Sequence, residues 1–352
     1  MATEIYQIEL KMEEKTSGDE ILFEHHKIVA DQGQAPVRID KYLMNRIQNT
    51  SRNKIQKTAE DGYIKVNDIV VKSNYKVKSN DIITVELPYP VVNNEIIPQD
   101  IPLDVLFEDD YILIINKKAG MVMHPGFGNR TGTLVNALAF HYDNLPDNIQ
   151  HDINRTGLVH RLDKNTSGVI VVAKTEEALT NLSKQFFNRT TGRKYHALVW
   201  GDLDEPGQVE GHIGRSLKNR KVMSVFEDGS YGKHAITHYK PLRTFGYITL
   251  VECRLETGRT HQIRAHMKHL KHPVFNDEEY GGDKILRGTT FSKYRSFVEN
   301  CFKLLPGQAL HAKTLSFDHP HTGERMEFTT DLPDYFQEVV DRWENYLSHR
   351  KD

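Results

Sequence analysis

The sequence predicts an α+β fold in two domains. Two kinds of hydrophobic spacing alternate along the chain: a helical spacing of about four residues, as in Ile39, Leu43 and Ile47, and short β-rich runs such as residues 63–66. The length of 352 residues also corresponds to about two domains of ordinary size. We therefore expect a small domain followed by a larger one, each with its own core.

The first residues carry charge but no hydrophobic pattern. Residues 1–24 hold 7 acidic and 2 basic residues, which favours a solvated segment. We expect residues 1–35 to be a peripheral extension of the small domain. This acidic start lacks the apolar stretch of a signal peptide and the Arg-rich face of a transit peptide, so we expect a cytoplasmic protein.

Residues 36–90 predict the small domain, which starts with two short helices. The spacing of Ile39, Leu43 and Ile47 indicates the first helix. Ser51 is a residue type that caps helices, so we expect a second helix after it, and Gly62 can end that helix.

A β-hairpin follows the two helices. Residues 63–66 and 69–72 are rich in β-forming side chains, and the pair Asn67 and Asp68 between them predicts a hairpin turn. A further strand over residues 82–87 would close the small domain ahead of two prolines.

The rest of the chain predicts a linker over residues 91–102 and a larger domain over residues 103–345. The linker contains two prolines. In the larger domain the patterns alternate between strands and helices. We predict strands at residues 105–107, 112–115, 158–161, 169–173 and 195–200, and a helix after Thr175 that carries Leu179, Leu182 and Phe186.

The net charge of −2 conceals blocks of opposite sign. Residues 36–80 hold 10 basic and 4 acidic residues, a local charge of +6. Residues 155–270 hold 19 basic and 11 acidic residues, a local charge of +8. Residues 82–154 are acidic, with 3 basic and 10 acidic residues. The two basic regions are candidates for one RNA-binding surface, although basic runs also occur on surfaces that are merely solvated.

Cysteine usage and apolar run length exclude two further classes of protein. Cys253 and Cys301 are far apart, which excludes a CxxC pair or a disulfide framework and favours packed thiols in a reducing compartment. Apolar runs such as residues 168–173 are much shorter than the roughly 20 residues of a membrane helix. We expect no membrane span.

The segment GLVHRLDKNTSGVIVVAKT, residues 157–175, places Asp163 in a polar turn between two predicted strands. His160, Arg161 and Lys164 surround it in sequence, and opposite charges within about 4 to 6 Å favour an ionised carboxylate. Catalysis on a sugar, whether nucleophilic or electrostatic, requires such a carboxylate. By itself, the turn is more typical of a capping Asp beside surface cations.

Four segments in order resemble the RluA-type pseudouridine synthases. The string HRLD from His160, followed by TSG, is similar to the catalytic signature of that family. NKKAGMVMHPG from Asn116 resembles its first motif, with Lys118 where proline is common. GRKYHALVWG from Gly192 and LETGRTHQIRAHM from Leu255 resemble two further motifs. The resemblance extends over residues 36–340 and implies a mixed, mainly antiparallel sheet with flanking helices in the larger domain.

The small domain carries a second resemblance. RIDKYLMNRIQNTSRNKIQKTAEDGYIKVNDIVV, residues 38–71, looks like the alpha-L RNA-binding domain, in which a helical pair lays basic side chains on RNA. The matching positions are Arg38, Arg46, Arg52, Lys54 and Lys57.

The family resemblance implies catalytic roles for Asp163, Tyr195 and Arg264, and it implies neither a metal nor a cofactor, since the isomerisation of uridine needs no redox change. Asp163 can attack the sugar, attack the base or abstract a ribose proton, and these routes stay open. Tyr195 is expected to stack on the uracil and to transfer a proton. Arg264 is expected to hold Asp163 by a charge-assisted, bidentate hydrogen bond.

The substrate must be flipped out of its helix, because the target atom is inaccessible in a stacked base. Arg161 is expected to fill the vacated position, and His160 to be more structural than catalytic. The arrangement, with HPGFGNRTGTLVNAL, looks closest to the RluD-like branch, which modifies large-subunit ribosomal RNA. We therefore expect ribosomal RNA or an assembling large subunit as partner, and a monomeric enzyme, since RNA supplies the second surface.

Two other classes of function remain as alternatives. His266, His269 and His272 have a three-residue spacing that could suit a metal-dependent hydrolase, but the sequence has no HExxH motif and no thiolate pair. A non-catalytic RNA-binding or ribosome-assembly protein is the other alternative, against which the intact catalytic positions argue.

Overall fold

The computed structural model describes residues 7–13, 21–44, 46–47, 50–90, 96–126, 128–142, 157–219 and 222–349. The chain divides into two compact units, Met1–Asn94 and Glu95–Asp352. Each unit has its own hydrophobic core. Of the expected linker, residues 91–95 lie outside the described residues, and the described remainder has no regular secondary structure.

The described part of the N-terminal unit contains an antiparallel five-stranded sheet, a two-stranded ladder and two helices. In chain order its elements are β1 (Gln7–Glu13), β2 (Ile21–Val29), β3 (Val37–Arg38), α1 (Ile39–Met44), α2 (Arg52–Glu60), β4 (Ile64–Val66), β5 (Ile69–Val70), β6 (Lys76–Val77) and β7 (Ile82–Pro90). The sheet order is β1-β2-β7-β4-β5, and β3 pairs with β6.

The predicted helices and hairpin of this unit are confirmed. The side chain of Ser51 accepts a hydrogen bond of 3.2 Å from the backbone N–H of Lys54 and so caps α2. Asn67 and Asp68 have φ angles of 50° and 65° between β4 and β5. Positive φ at both central residues is the geometry of a type I′ hairpin turn.

Two details of the N-terminal unit differ from the prediction. Residues 21–29 were expected in a peripheral extension, but as β2 they pair with β7 along their whole length, and Ile28 and Ala30 belong to the core. Strand β7 also continues through Pro88 and Pro90. Among the described residues β4 pairs with residues 83–85 of β7 and β2 alone flanks the prolines, so a missing N–H is tolerated there.

The second unit is built on a mixed sheet, and its elements follow one another as β8 (Val105–Glu108), β9 (Ile112–Lys117), α3 (Leu134–His141), β10 (Ser167–Ala173), α4 (Glu176–Asn188), β11 (Gly192–Trp200), β12 (Gly207–Arg215), β13 (Met223–Phe226), β14 (Lys233–Thr244), β15 (Ile248–Leu255), α5 (Gln262–His269), α6 (Ser292–Leu304), β16 (Leu310–Asp318), β17 (Arg325–Thr329) and α7 (Asp334–Ser348). The sheet order is β13-β12-β14-β15-β11-β16-β10-β9-β8, and β17 pairs with β16. Within the described chain β10 and β16 are parallel and the other pairs are antiparallel, as the predicted fold class requires.

The sheet is covered on both faces at β9. On β9, Ile112 and Ile114 belong to a core that includes side chains of α4, whereas Leu113 and Ile115 belong to a core that includes side chains of α3. This alternation is the period of a strand buried on both sides, which explains the nearly continuous apolar run. The two predicted thiols are buried, and burial raises the pKa of each to about 12. No helix in the described ranges has the length and apolar character needed to cross a membrane.

The strand predicted at residues 158–161 is wrong. Leu158 makes a single bridge with Val172, and the backbone N–H of Val171 then donates to Nε2 of His160 at 3.1 Å. An imidazole nitrogen therefore takes the acceptor position that a backbone carbonyl would occupy in a ladder. Pairing stops there, and the chain reaches Asp163 as an irregular loop.

Candidate active site

Asp163 lies in the loop that leads into β10. The backbone N–H of Thr166 donates to the carbonyl oxygen of Asp163 at 3.1 Å, which closes the turn. Gly168 then brings β10 against β16: its φ is 118°, and a Cβ there would lie 2.2 Å from the carbonyl oxygen of Ala312. The side chain of Asp163 is 18% exposed, so its carboxylate is supported by the sheet and still reachable from solvent.

Lys117, at the end of β9, ties this loop to the preceding motif. Its side chain is buried, and Nζ donates to the carbonyl oxygens of Lys118, Met121 and Lys164 at 2.9, 2.9 and 3.2 Å. Burial lowers the pKa of Lys117 to about 7, against the raising effect of the charge on Asp163. A single ammonium group therefore connects two of the four predicted motifs.

Arg264, on α5, connects Asp163 to two further carboxylates. Its NH1 donates to Oδ2 of Asp163 at 3.1 Å, while Nε and NH2 donate to the two oxygens of Asp277 at 2.7 and 2.8 Å, and NH2 also donates to Glu279 at 2.7 Å. The predicted contact with Asp163 is present, but the bidentate pairing is with Asp277. Asp277 is fully buried and needs the planar fork of the guanidinium more than the half-buried Asp163 does.

The surroundings of Arg264 keep its charge in place. Burial by itself lowers the pKa of Arg264, but the hydrogen bonds and charge of Asp277, together with Asp163, outweigh it and raise that pKa above its ordinary value. The ring of Tyr280 lies beneath the guanidinium, 4.8 Å from its Cζ to the ring centroid. Arg264 is thus fixed in orientation before any substrate arrives.

His261 lies near Oδ1 of Asp163, whereas Arg264 bonds to Oδ2. Its Nε2 is 3.8 Å from Oδ1 of Asp163, and its Nδ1 is 3.0 Å from the hydroxyl of Tyr280. Burial lowers the pKa of His261, while the charge of Asp163 opposes that shift. A neutral imidazole beside Asp163 leaves the guanidinium of Arg264 as the charged partner of the carboxylate.

Tyr195 lies on β11 and is half-buried. Burial raises its pKa, the nearby Arg193 lowers it, and the charge of Asp163 raises it again. A phenol with a raised pKa keeps its proton at neutral pH.

Two cavities, of about 620 and 690 Å³, share Arg161, Asp163 and His261 in their linings. The first is also lined by Arg264 and Asp277 and so contains the carboxylate cluster. We call the second the arginine cavity; besides the shared residues its lining includes Tyr195, Phe186, Phe187, Arg189, Arg193 and Arg259. Both volumes are in the range that holds a small organic ligand such as a nucleoside.

Comparison with known proteins identifies the family of this chain. The model of the RNA pseudouridylate synthase family matches residues 111–269, and the S4 domain model matches residues 37–83. The chain is 47% identical over 311 residues to an uncharacterized RNA pseudouridine synthase of Chlorobaculum parvum. The alignment covers 88% of this chain and 94% of the relative. It is 39% identical over 305 residues to the ribosomal large subunit pseudouridine synthase D of Vibrio cholerae, and this alignment covers 86% of this chain and 90% of the relative.

The chain belongs to the RNA pseudouridine synthase family.

This pseudouridine synthase has the fold of its family. The human RNA pseudouridylate synthase domain containing 4 matches 68% of this chain and 92% of its own, with a TM-score of 0.50 and 24% identity, a likeness of fold alone. The predicted family, the RNA-binding domain at the N-terminal end and the predicted reaction, isomerisation of uridine in RNA, are confirmed. The roles assigned to individual residues stay predictions.

His160 has a structural position in the synthase. Besides accepting the hydrogen bond from Val171, its ring stacks on Phe186 with centroids 4.7 Å apart. Burial, helped by the charge of Arg193, lowers the pKa of His160 to about 3, so the ring is neutral and Nε2 can accept. His160 also lines the arginine cavity, and its contact with substrate stays a prediction.

The five basic side chains predicted to bind RNA in the N-terminal unit differ in their partners. Arg38 and Arg52 both bond to the fully buried Asp40, with N–O distances of 2.9 to 3.1 Å. Burial raises the pKa of Asp40, but the hydrogen bonds from Arg38, Gln56 and Arg52 outweigh it and hold that pKa well below its usual range. Arg52 therefore ties α2 to Asp40 of α1, whereas Arg38 reaches the same carboxylate from β3, and each arginine remains about two-fifths exposed.

The other three cations are on the same two-helix region. The guanidinium of Arg46 lies 3.9 Å from the ring centroid of Tyr42 and 3.2 Å from a carboxylate oxygen of Asp31. Lys54 is half-buried and Lys57 is exposed. Their role in RNA binding stays a prediction.

The three regularly spaced histidines do not face one ligand. Helix α5 ends at His269, so His272 lies beyond it. Nδ1 of His266 is 2.9 Å from Thr237, His269 is 3.0 Å from Glu227, and Nδ1 of His272 is 2.7 Å from a backbone carbonyl oxygen. In the part of the chain that the structure describes, no group of three His, Cys, Asp or Glu residues has the arrangement of a metal site.

Sequence reasoning missed Asp277, His261, Lys117 and Arg193. Asp277 stands in the run NDEEYGG, residues 276–282, where three consecutive carboxylates in an otherwise basic neighbourhood were a usable signal. Lys117, Arg193 and His261 lie inside the recognised motifs, but nothing local to those strings indicates that their side chains are buried.

Proposed function

We propose that this enzyme converts uridines of large-subunit ribosomal RNA to pseudouridine, with Asp163 as the carboxylate on which the reaction depends. The observation that carries the proposal is the position of Asp163, where two cavities meet and where an arginine fixed by another carboxylate holds it. The relatives named as ribosomal large subunit pseudouridine synthases, 38 to 40% identical to this chain, support the choice of RNA.

The chemistry needs few groups. The reaction breaks the bond between ribose C1′ and uracil N1 and forms a bond between C1′ and C5, while C5 loses a proton and N1 gains one. The atoms of substrate and product balance without an oxidant or a second substrate. Asp163 attacks C1′, attacks the base or removes a ribose proton, and each route uses an ionised carboxylate. The hydrogen bond from Arg264 stabilises that form.

Tyr195 and Arg161 have complementary positions for a flipped nucleotide. Tyr195 lines the arginine cavity together with Asp163, so a uracil in that cavity could stack on the phenol and take its proton. Arg161 is exposed and lines both cavities, which suits a side chain that enters the helix when the base leaves. Flipping costs a few kcal/mol, and contacts such as these offset it.

The N-terminal unit would supply sequence-independent affinity. Its local charge of +6 over residues 36–80 suits contacts with RNA phosphates. The monomeric state, the cytoplasmic location and the choice between free RNA and an assembling subunit stay predictions.

The proposal is tested by mapping pseudouridines in ribosomal RNA from cells with and without this gene, and after complementation with wild type or with Asp163→Asn. We expect specific uridines of the large-subunit RNA to lack pseudouridine in cells without the gene and to regain it only with the wild-type enzyme. Recovery with Asp163→Asn would contradict the role of Asp163. Loss confined to another RNA class would contradict the ribosomal assignment, and an unchanged map with altered subunit assembly would favour the non-catalytic alternative.

A further inference from the structure

Arg193 is a buried cation in the arginine cavity. The residue is 8% exposed and lies on β11, two positions before Tyr195, so both side chains reach the same cavity. The hydrogen bond recorded for its guanidinium is a long one of 3.4 Å, from NH2 to the carbonyl oxygen of Glu256. Among the described residues its Nε has no hydrogen-bond partner, and no carboxylate lies within ion-pair distance.

The ring of Phe186 lies 5.8 Å from Cζ of Arg193, but an aromatic face does not neutralise the charge, so this environment is unfavourable unless an anion joins it. A buried charge without a partner costs several kcal/mol, which is why buried arginines are normally paired. Here burial lowers the pKa of Arg193, Tyr195 opposes that shift, and the nearby cations Arg189 and Arg259 lower it further. Gly258 leaves room for the guanidinium, since a Cβ at that position would lie 2.6 Å from NH1.

The carboxylates of the same cavity already have partners. Glu256 lies 2.5 Å from Nε2 of His238, and Asp163 accepts its hydrogen bond from Arg264. The positive charge of Arg193, which has no carboxylate within ion-pair distance among the described residues, is therefore available to a ligand, with Arg189 and Arg259 nearby. Several cations that converge on one cavity are the usual surroundings of an oxyanion.

We propose that the arginine cavity binds a backbone phosphate of the RNA substrate next to the flipped uridine, with Arg193 as its buried ligand and Arg189 and Arg259 at its rim. A free phosphate ion has the same chemistry, but one further observation favours RNA. Phe187, at the edge of the same cavity, is 86% exposed. An exposed aromatic ring beside arginines is the combination that binds single-stranded nucleic acid.

This inference rests on the proposed function, because it takes RNA as the substrate. It deepens that function by assigning a positioning role: the phosphate contact would fix the nucleotide so that its ribose faces Asp163. The buried position of Arg193 would then serve ligand binding at the expense of stability.

The direct test follows the Nε–H group of Arg193 by NMR in the full-length enzyme labelled with ¹⁵N-arginine, its signal being identified by its absence in Arg193→Lys. We expect inorganic phosphate and uridine 5′-monophosphate to shift this signal, and uridine to leave it in place. A signal that none of the three moves, or that uridine moves equally, would overturn the phosphate site.

The second test is a double-mutant cycle that combines one change in the protein with one change in the RNA. The substrate is any RNA that the mapping finds to be modified, so failure of the ribosomal assignment leaves this test intact. One linkage beside the target uridine is replaced by a neutral methylphosphonate, and single-turnover efficiency is measured for wild type and Arg193→Gln. We expect each change alone to lower efficiency about 10- to 100-fold, as for a charged hydrogen bond, and both together to lower it hardly further.

If the two losses multiply at every linkage tested, Arg193 does not contact a phosphate of the RNA. Together with a positive NMR result, that outcome would assign the site to a free phosphate ion instead.

Arg295→Gln is the matched control, since Arg295 is an exposed arginine on α6. Unfolding temperature separates a structural role from binding. Removing an unpaired buried cation should leave Tm unchanged or raise it, whereas a clear drop in Arg193→Gln, but not in Arg295→Gln, would mean that Arg193 supports the fold.

Discussion

Arg264 donates a hydrogen bond of 3.1 Å to Asp163, although the two residues are 101 positions apart in the chain. The same guanidinium is bonded through its other edge to Asp277. Asp277 therefore sets the direction from which Arg264 approaches Asp163, and the predictions below test what this arrangement does.

Replacing Asp163 by Asn keeps the volume of the side chain but removes its charge. We expect turnover to fall by about 1000-fold or more, because each of the three chemical routes needs the carboxylate. RNA affinity should change little, since Asp163 contributes no cation. Measured multiple turnover near the wild-type rate would exclude every mechanism that depends on this carboxylate.

Replacing Arg264 by Lys keeps the charge but loses the planar fork that reaches Asp163 and Asp277 together. We expect the single-turnover rate to fall about 100-fold, comparable with the loss of one oriented donor in other enzymes, and RNA affinity to stay within a few-fold. Arg295→Lys, the same change at an exposed position, should leave both unchanged. A loss of affinity without a loss of rate would make Arg264 a phosphate contact.

Lys117 should make stability depend on pH. Its pKa in the folded protein is lowered to about 7, so between pH 7 and its ordinary value of 10.5 the unfolded chain binds more protons than the folded one. The contribution of Lys117 to the free energy of unfolding should therefore rise with pH across this window, by at most about 1.4 kcal/mol per pH unit. Denaturant titrations of wild type and Lys117→Met measure it as a difference in slope. Parallel pH profiles would mean that the buried ammonium stays charged.

A zinc chelator should leave the activity unchanged. The reaction as proposed uses only Asp163, Tyr195 and Arg264 and assigns no step to a metal. The measurement is the single-turnover rate with and without phenanthroline at constant magnesium, so that the RNA remains folded. A loss of rate that zinc restores would support the metal-dependent alternative.

Affinity and chemistry should be separable between the two units. The basic residues 36–80 belong to the unit Met1–Asn94, whereas Asp163, Tyr195 and Arg264 belong to Glu95–Asp352. If the N-terminal unit makes about three phosphate contacts, deleting residues 1–94 should flatten the slope of log affinity against log salt by about 2 to 3. The rate at saturating RNA should persist. An unchanged slope would show that this unit does not bind RNA, and a folded but inactive truncation would place part of the site within it.

Local patterns determined part of the secondary structure, all of it before about residue 200. The helix after Ser51, the hairpin at Asn67 and Asp68 and the strand of β10 each depend on caps, turn residues and side-chain periodicity within a few positions. The motifs likewise identified the family and the position of Asp163, because these are properties of short strings of residues.

Only the tertiary structure decided which groups meet. Residues 158–161 have the composition of a strand, but the ring of His160 takes the acceptor position on β10 and ends the pairing. Arg264 was expected to form its bidentate hydrogen bond with Asp163, but it forms that bond with the fully buried Asp277. Hydrogen-bond partners and burial depend on side chains that the fold brings together from distant positions, so no local pattern records them. The cost of leaving Asp277 buried and unpaired, rather than any motif, determines where Arg264 points.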